Sequence, residues 1–304
     1  MSGGTCHDAS DASGFAWSER SPTMQTVEVR PANDTISDGF SFPEGLRWRD
    51  GTLWFSDMHT GDVYSLDPDT GELNKRLVVD DQPSGMGWLP DGSMLLSLML
   101  SRRVLRVFAD GSTAIHADLS ALTDHPVNEL VVDDHGHGYL GTFGYDILAG
   151  DPLVQASVYR VDPDGSVTLA ADAFDFPNGS VILPGTNTLV IAHSFRPELT
   201  GFEIEPDGTL VGRREWARLP EGTTADGLAV DSRGRVWVSS ILTHEFLRVS
   251  EGGEVTARVH TPDRLAVDCV VDGRDDDVLY VSTSNSIQPA ETTVRLGAIQ
   301  RVRL

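Results

Sequence analysis

One pattern recurs six times along the chain and restricts its fold more than any other feature. Each unit reads as a strand rich in Val, Leu, Trp and Tyr, a turn containing Asp or Gly, and further strands. Clear examples are residues 53–57 followed by 61–67, and residues 236–240 followed by 245–249. Turns such as the Pro-Asp-Gly at 90–92 carry the residues that tight hairpins require. The chain is therefore built from repeated β units.

The number and length of the repeats predict an all-β, six-bladed β-propeller. Units of about 40–50 residues with several short strands are typical of propeller blades. The alternative, two packed β-sandwiches, would show less regular repeats. No linker divides residues 26–304, which we predict to be one domain, whereas residues 1–25 are rich in Ser, Gly, Asp and Ala and are predicted to be a disordered leader.

Four repeats begin their first strand with an oxygen-bearing side chain in the same phase. These side chains are Glu44, Asn128, Asn178 and Asp226, in repeats one, three, four and five. Ser84 stands there in repeat two and, approximately, Asp268 in repeat six. Because the innermost strand of each blade lines the central channel of a propeller, these side chains are expected to point at its axis.

A ring of two carboxylates and two carboxamides predicts a divalent-metal site in the central channel. Ca²⁺ favours oxygen ligands, and two carboxylates would neutralise its charge. The chain has no Cys/His ligand cluster of the kind that zinc and copper sites use. We therefore expect one divalent ion, with Ca²⁺ preferred and Mg²⁺, Mn²⁺ or Zn²⁺ as alternatives.

Net charge narrows the range of partners. The chain has 46 Asp and Glu against 23 Lys and Arg, for a formal net charge of -23. Such a surface repels nucleic acids and anionic membranes, so neither is expected as a partner.

The two cysteines, Cys6 and Cys269, match no zinc motif and no expected disulfide, which favours a reducing, cytoplasmic setting. We expect a monomer or small homo-oligomer.

Several short motifs, taken together, match those of one family. They are 42–45 (Phe-Pro-Glu-Gly), 53–57 (Leu-Trp-Phe-Ser-Asp), 128–133 (Asn-Glu-Leu-Val-Val-Asp), 177–179 (Pro-Asn-Gly) and 226–228 (Asp-Gly-Leu). With these motifs, about residues 38–304 resemble the regucalcin, gluconolactonase and luciferin-regenerating-enzyme family. The resemblance implies a six-bladed propeller with a divalent metal, often calcium, in the central channel. Many members hydrolyse lactones.

The resemblance also implies roles for single residues. Glu44, Asn178 and Asp226 would be metal ligands, and Asn128 would be a fourth ligand or a substrate contact. Asp226 would also be the catalytic carboxylate. Asp146 falls where some sugar-lactonase relatives place a substrate-binding Glu.

One departure from the family pattern concerns the substrate. Sugar-lactonase relatives carry an Arg two residues before the third-repeat Asn, where this chain has Pro126 with His125 beside it. The residue after that Asn is Glu129, where an Asp is usual. The missing Arg weakens the expectation of an aldonolactone substrate more than it weakens that of a metal site or of hydrolysis.

These features predict a metal-dependent hydrolase that opens a lactone, a small-molecule substrate. The metal would polarise the carbonyl, water would be the nucleophile, and Asp226 would act as general base and acid. Direct attack by Asp226 is a variant of this scheme. Loops around the channel mouth supply candidate substrate contacts, namely His125, Tyr145, Asp146 and Arg103, besides Asn128, and three further histidines, His59, His193 and His244.

Two other functions fit the same ring of oxygens. A metal-dependent phosphotriesterase or fluorophosphatase would use it on a tetrahedral phosphorus centre, and a non-catalytic propeller would only bind calcium. A serine hydrolase has little support, because the chain has no Gly-x-Ser-x-Gly motif.

Overall fold

Six β-sheets, one for each sequence repeat, confirm the predicted all-β, six-bladed propeller. The computed structural model describes residues 1, 25–28, 34–145 and 150–304, so most of the predicted leader lies outside it. Two short 3-10 helices occur in the described ranges, at Met58–Thr60 and Thr292–Val294. No helix in these ranges is long and apolar enough to span a membrane.

The strands of each blade follow one another from the channel outwards. In the first three blades they are β3 (Pro43–Arg49), β4 (Thr52–Asp57), β5 (Asp62–Leu66) and β6 (Leu73–Val78); β7 (Pro83–Trp88), β8 (Met94–Leu98), β9 (Arg103–Val107) and β10 (Thr113–Asp118); and β11 (Val127–Val132), β12 (Gly138–Thr142), β13 (Ala156–Val161) and β14 (Val167–Phe174). In the last three they are β15 (Pro177–Ile182), β16 (Thr188–His193), β17 (Glu198–Ile204) and β18 (Leu210–Arg218); β19 (Ala225–Val230), β20 (Val236–Ser240), β21 (Glu245–Val249) and β22 (Val255–His260); and β23 (Leu265–Asp272), β24 (Asp275–Ser284) and β25 (Gly297–Arg303).

Two N-terminal strands complete the ring. Strand β2 (Thr35–Phe40) pairs antiparallel with β25 and becomes the outer strand of the sixth blade, immediately before β3 begins the first blade. Strand β1 (Gln25–Glu28) pairs in parallel with β22 as a fifth strand of the fifth blade. The N-terminal and C-terminal parts of the chain are therefore joined by main-chain hydrogen bonds within the sixth blade, a feature that the repeats alone do not predict.

The predicted Asp-Gly turns form through one recurring contact. Asp164 Oδ1 accepts the Ser166 N–H at 2.9 Å, and Asp207 Oδ1 accepts the Thr209 N–H at 3.0 Å. The intervening glycine has a positive φ, +86° at Gly165, which residues with a Cβ rarely adopt. The side-chain acceptor and the glycine together specify where each hairpin reverses.

The hydrophobic core lies between blades rather than within them. Among the described residues, six clusters of buried apolar side chains each join two neighbouring blades. Trp237 of the fifth blade and Leu279 of the sixth, for example, are both fully buried in one cluster. Because burying one such side chain stabilises the fold by about 1.5–3 kcal/mol, every blade depends on its neighbours. This packing fixes the inner strands around the channel.

Candidate active site at the mouth of the channel

The innermost strand of every blade is interrupted by a β-bulge near its start. The register shifts lie between Glu44 and Arg47, Pro83 and Met86, Val127 and Leu130, Pro177 and Ser180, Ala225 and Leu228, and Ala266 and Asp268. Bulges re-aim side chains and are frequent next to active sites. Their recurrence presents equivalent residues of the blades at one end of the channel.

Four oxygen-bearing side chains line one cavity of about 190 Å³ at this end. They are the four residues predicted from the repeats, Glu44, Asn128, Asn178 and Asp226, here called the oxygen ring. The bulge positions show that Val267, not Asp268, is their equivalent in the sixth blade, and Asp268 is one residue further on. Neither Ser84 nor Asp268 is among the described residues that line the cavity.

Both amides of the oxygen ring are oriented by hydrogen bonds from their nitrogen atoms. Asn128 Nδ2 donates to the carbonyl oxygen of Pro177 at 3.2 Å. Asn178 Nδ2 donates to Ser194 Oγ at 3.1 Å, and the Ser194 hydroxyl donates in turn to the Ala225 carbonyl at 2.8 Å. Because both nitrogens donate to acceptors in the protein, the Oδ1 atom of each amide is the atom available to bind a cation.

The two carboxylates of the oxygen ring lack a full set of hydrogen-bond partners. Glu44 is 9% exposed, and its Oε1 atom has no hydrogen-bond partner. Burial, followed by the Asp226 and Glu129 carboxylates, holds the pKa of Glu44 well above its usual range. Burial and then Glu129 raise the pKa of Asp226 to about 7, while a hydrogen bond from Asn178 acts in the opposite direction. Ionised carboxylates in this setting need a compensating cation.

A second group of charges, here called the internal ion cluster, lies further along the inner strands. It consists of Arg47, Glu129 and Asp268. Arg47 Nη2 donates to Glu129 Oε2 at 2.6 Å, and the guanidinium also donates to the carbonyl oxygens of Leu46, Met86 and Leu130. Asp268 accepts backbone N–H groups at 2.6 and 2.7 Å. These carboxylates, unlike Glu44, receive their partners from the protein.

Two glycines make room for the internal ion cluster. A Cβ on Gly227 would lie 1.8 Å from Asp268 Oδ1, and a Cβ on Gly85 would lie 2.7 Å from Glu129 Oε2. Each distance is shorter than a non-bonded contact allows. The glycine after Asp226 therefore has a packing role, since it lets a carboxylate of the next blade enter the space between blades.

A collar of residues surrounds the oxygen ring at the cavity entrance. In five of the blades, within the described ranges, the residue after the second strand donates its N–H to the carbonyl of the residue before the first, as from Met58 to Phe42 at 3.0 Å. The collar residues that line the cavity are Phe42, Met58, Gln82, Met99, Phe143, Phe176, Ser194, Thr224 and Ile241. Only Gln82, Ser194 and Thr224 carry polar side chains, so the collar is mainly apolar.

An aromatic cluster forms one wall of the cavity. The ring of Phe176 lies 4.4 Å from that of Phe143 and 5.5 Å from that of Phe195, and Tyr145 packs against both Phe176 and Phe195. Phe176 has a φ of +63°, in the left-handed region that bulky residues rarely adopt. Such a conformation costs on the order of 1–3 kcal/mol and is typical of functional sites. The packing of the wall holds Phe176 in this conformation.

One of the four candidate histidines lines the cavity. His59 lies with its ring 5.1 Å from that of Phe42, and its Nδ1 is 2.7 Å from Thr292 Oγ1. Burial lowers the pKa of His59 to about 4, so its ring is neutral near pH 7. His193 is fully buried beside Phe174, and His244 is bonded to a backbone carbonyl, both away from the cavity lining.

Three other predicted substrate contacts, His125, Arg103 and Tyr145, are not part of the described cavity lining. His125 lies in the loop before β11 and is not part of the described cavity lining. Arg103 is exposed, pairs with Asp118 at 2.9 Å and likewise lies outside that lining. Tyr145 packs against Phe176 in the aromatic cluster but does not itself line the described cavity. Asp146 lies outside the described residues.

Two residues of the loop after β24, Ile287 and Pro289, and most of the collar line the cavity without having been predicted, whereas Met58 and Ser194 lie in loops that were expected to cover the channel mouth. A signal for the collar exists in the sequence, because its residues stand immediately before the first strand or after the second strand of each repeat. Phe42 and Phe176 directly precede Pro43 and Pro177 in the quoted motifs. The loop after β24 carries no such signal, because the spacing between the second and third strands of the sixth repeat differs from that of the other repeats.

The donor set of the oxygen ring fits a hard divalent cation. It offers carboxylate and amide oxygens and one orphaned buried oxygen, Glu44 Oε1. In the described part of the chain, no group of three or more His, Cys, Asp and Glu side chains is placed to hold a metal ion. With only two carboxylates, the ring relies on its amides to complete a site for an oxygen-seeking ion.

Comparisons with known proteins agree with this architecture. A pentonolactonase, XacC of Haloferax volcanii, is 26% identical over 247 residues, which cover 79% of this chain and 81% of the relative. Lactonase drp35 of Staphylococcus epidermidis is 24% identical, covering 88% and 80%. The crystal structure of a calcium-binding protein, regucalcin from Agrobacterium tumefaciens, superposes with a TM-score of 0.75 at 18% identity, covering 91% of this chain and 95% of that one.

The family model described as the SMP-30/gluconolactonase/LRE-like region matches residues 42–285. This range begins one residue before β3 and ends one residue after β24, so it contains the whole oxygen ring. The chain belongs to the SMP-30/gluconolactonase/LRE-like family.

Proposed function

We propose that the protein is a metal-dependent lactonase whose active site is the oxygen ring. The observation that carries the proposal is a buried carboxylate, Glu44, with an unpartnered oxygen in a cavity that also holds two oriented amides and Asp226. The relatives named as lactonases support the reaction class. The small cavity, about 190 Å³, suits a small ring substrate.

Glu44, Asn128, Asn178 and Asp226 would hold the cation, for which Ca²⁺ is the preferred candidate. When bound, a divalent cation supplies Lewis-acid polarisation of the lactone carbonyl and stabilises the negative charge that develops on its oxygen. The protein contributes a fixed set of oxygens, because the hydrogen bonds of Asn128 to Pro177 and of Asn178 to Ser194 prevent the amides from rotating.

Asp226 is the residue we assign as general base and acid. It accepts the proton of the attacking water and returns a proton to the leaving alkoxide when the ring C–O bond breaks. Its position supports both tasks, since it lines the cavity and is only partly buried, so water can reach it. The apolar collar limits the water that enters and so favours a single positioned nucleophile.

The proposal is tested by restoring a cation to metal-stripped protein and measuring lactone hydrolysis. We expect Ca²⁺, or one of Mg²⁺, Mn²⁺ and Zn²⁺, to restore turnover of γ- or δ-lactones. Asp226→Asn should lower kcat by about 10²–10⁴, because it removes the proton acceptor. The matched control is Asp118→Asn, a carboxylate on the outer strand β10, away from the cavity lining, that pairs with exposed Arg103 and accepts the Ser120 N–H.

Two results would contradict the proposal. One is the absence of lactone hydrolysis by folded, metal-loaded protein, and the other is full turnover by Asp226→Asn. A parallel assay on organophosphate esters then decides between a phosphotriesterase-like hydrolase and a propeller that only binds calcium.

A further inference from the structure

The cavity offers few groups that could bind a hydroxyl-rich substrate. Apart from the carboxylates of the oxygen ring, its described lining contains no Asp, Glu, Lys or Arg. The polar side chains of the collar are Gln82, Ser194 and Thr224, and the Ser194 hydroxyl already donates to Ala225 and accepts from Asn178. His59 is engaged with Thr292 through one of its two ring nitrogens. Against this described lining, a polyhydroxylated ring would therefore bury several hydroxyl groups without partners, which weakens binding.

Apolar surface continues from the collar to the outside of the cavity. Two further lining residues, Phe195 and Leu242, are 41% and 59% exposed, and they are here called the lip. Phe195 packs on Phe176 at 5.5 Å, so the aromatic wall and the lip form one surface. Exposed apolar side chains next to an apolar cavity are the expected setting for an apolar part of a ligand.

We propose that the site takes lactones whose ring carries an alkyl or aryl substituent, rather than hydroxyl-rich aldonolactones. The ring would occupy the collar, with its carbonyl toward the oxygen ring, and the substituent would lie on the lip. Water adds to the acyl carbon, the ring C–O bond breaks, and the product is the corresponding hydroxy acid with the same substituent. This inference rests on the proposed lactonase function and adds the class of substrate.

Three lactones of equal ring size test the inference. They are δ-valerolactone, which has no substituent, δ-decalactone, which carries a pentyl chain, and D-glucono-1,5-lactone, which carries hydroxyl groups. With the metal-loaded protein and spontaneous hydrolysis subtracted, we expect kcat/KM for δ-decalactone to exceed that for δ-valerolactone by about tenfold or more. D-glucono-1,5-lactone should be the poorest of the three.

A pair of leucine variants assigns the preference to the lip. Leu242→Ser should reduce the ratio of kcat/KM for δ-decalactone over δ-valerolactone about three- to tenfold. Leu169→Ser is the matched control, because Leu169 is similarly exposed, at 57%, but lies on the outer strand β14. Both positions are exposed, so neither variant threatens folding.

The possible outcomes separate this inference from the function on which it rests. If the protein hydrolyses lactones but prefers D-glucono-1,5-lactone, or if Leu242→Ser leaves the ratio at the value of Leu169→Ser, the apolar assignment is wrong and the lactonase function stands. If none of the three lactones is hydrolysed by metal-loaded protein, the lactonase function itself is contradicted, and the substrate assignment with it.

Discussion

The oxygen ring and the internal ion cluster are built on the same inner strands, and both must compensate two carboxylates, but they do so in different ways. Both place two carboxylates on the inner strands. In the internal ion cluster, Arg47 contacts Glu129 at 2.6 Å and backbone N–H groups bind Asp268. In the oxygen ring, Glu44 Oε1 has no partner. The protein itself supplies the counter-cation of the internal ion cluster. We infer that the oxygen ring takes its counter-cation from solution.

The two regions are separated by a single position in the sequence. Asn128 belongs to the oxygen ring and Glu129 to the internal ion cluster, and both lie within the bulge between Val127 and Leu130. Regular alternation would send these neighbours to opposite faces of the sheet, and the bulge suspends that alternation. A local irregularity thus lets one strand contribute both to a candidate binding site and to a structural ion cluster.

The largest effect is expected from removing the internal counter-cation. Arg47→Met should destabilise the protein by about 3–5 kcal/mol, because Glu129 and Asp268 would remain buried without their cation. Urea unfolding of the metal-free protein at pH 7 measures the loss. Arg103→Met is the control, since Arg103 forms an exposed pair with Asp118 whose removal should change the stability little. Equal losses in both variants would remove the distinction between the two regions.

The sequence predicts the oxygen ring but not the internal ion cluster, and the reason is geometric. Glu44, Asn128, Asn178 and Asp226 share a phase of the repeat, so one topological assumption brings them together. Arg47, Glu129 and Asp268 stand at different repeat positions and meet only because Gly85 and Gly227 leave space between the blades. An approximate alignment of the repeats places Asp268 in the oxygen ring. The structure instead has Val267 at the matching position of the sixth repeat, and Asp268 belongs to the internal ion cluster.

The fold itself follows from the repeats, except where the chain closes the ring. Hairpin turns such as Asp164-Gly165 and Asp207-Gly208 are predictable, because each Asp side chain accepts a backbone N–H two residues further on. The pairing of β2 with β25 depends on residues about 260 positions apart, for which no local pattern exists. The loop residue His125 is equally unpredictable, because its direction is set by packing and not by strand alternation. Arg103, the first residue of β9, instead pairs with Asp118 of the neighbouring strand β10.

A smaller effect is expected from pH. Burial and Glu129 raise the pKa of Asp226 to about 7, so in the metal-free protein the folded state binds more protons than the unfolded state between about pH 4 and 7. Its stability should therefore fall as the pH rises through this window and level off above it. Glu44, with its raised pKa, acts in the same direction. Saturating Ca²⁺ should offset the loss, since a cation favours the ionised carboxylates.

Comparison with Asp226→Asn isolates this effect from other titrating groups. Without metal, the stability lost between pH 5 and 7.5 should be smaller in the variant than in the wild type by on the order of 2 kcal/mol. Urea unfolding in EDTA at both pH values measures the difference. Identical pH dependence in the two proteins would mean that ionisation of Asp226 does not destabilise the metal-free folded state.

A calcium titration of metal-stripped protein determines whether the oxygen ring binds one divalent cation. Isothermal titration calorimetry at about 0.15 M salt limits non-specific binding to the acidic surface. We predict one Ca²⁺ per chain for the wild type and for Asp118→Asn, and binding weakened at least about tenfold in Glu44→Gln, which loses one charged ligand. If folded wild type shows no stoichiometric binding, or if Glu44→Gln binds Ca²⁺ as tightly as wild type, the oxygen ring is not the cation site.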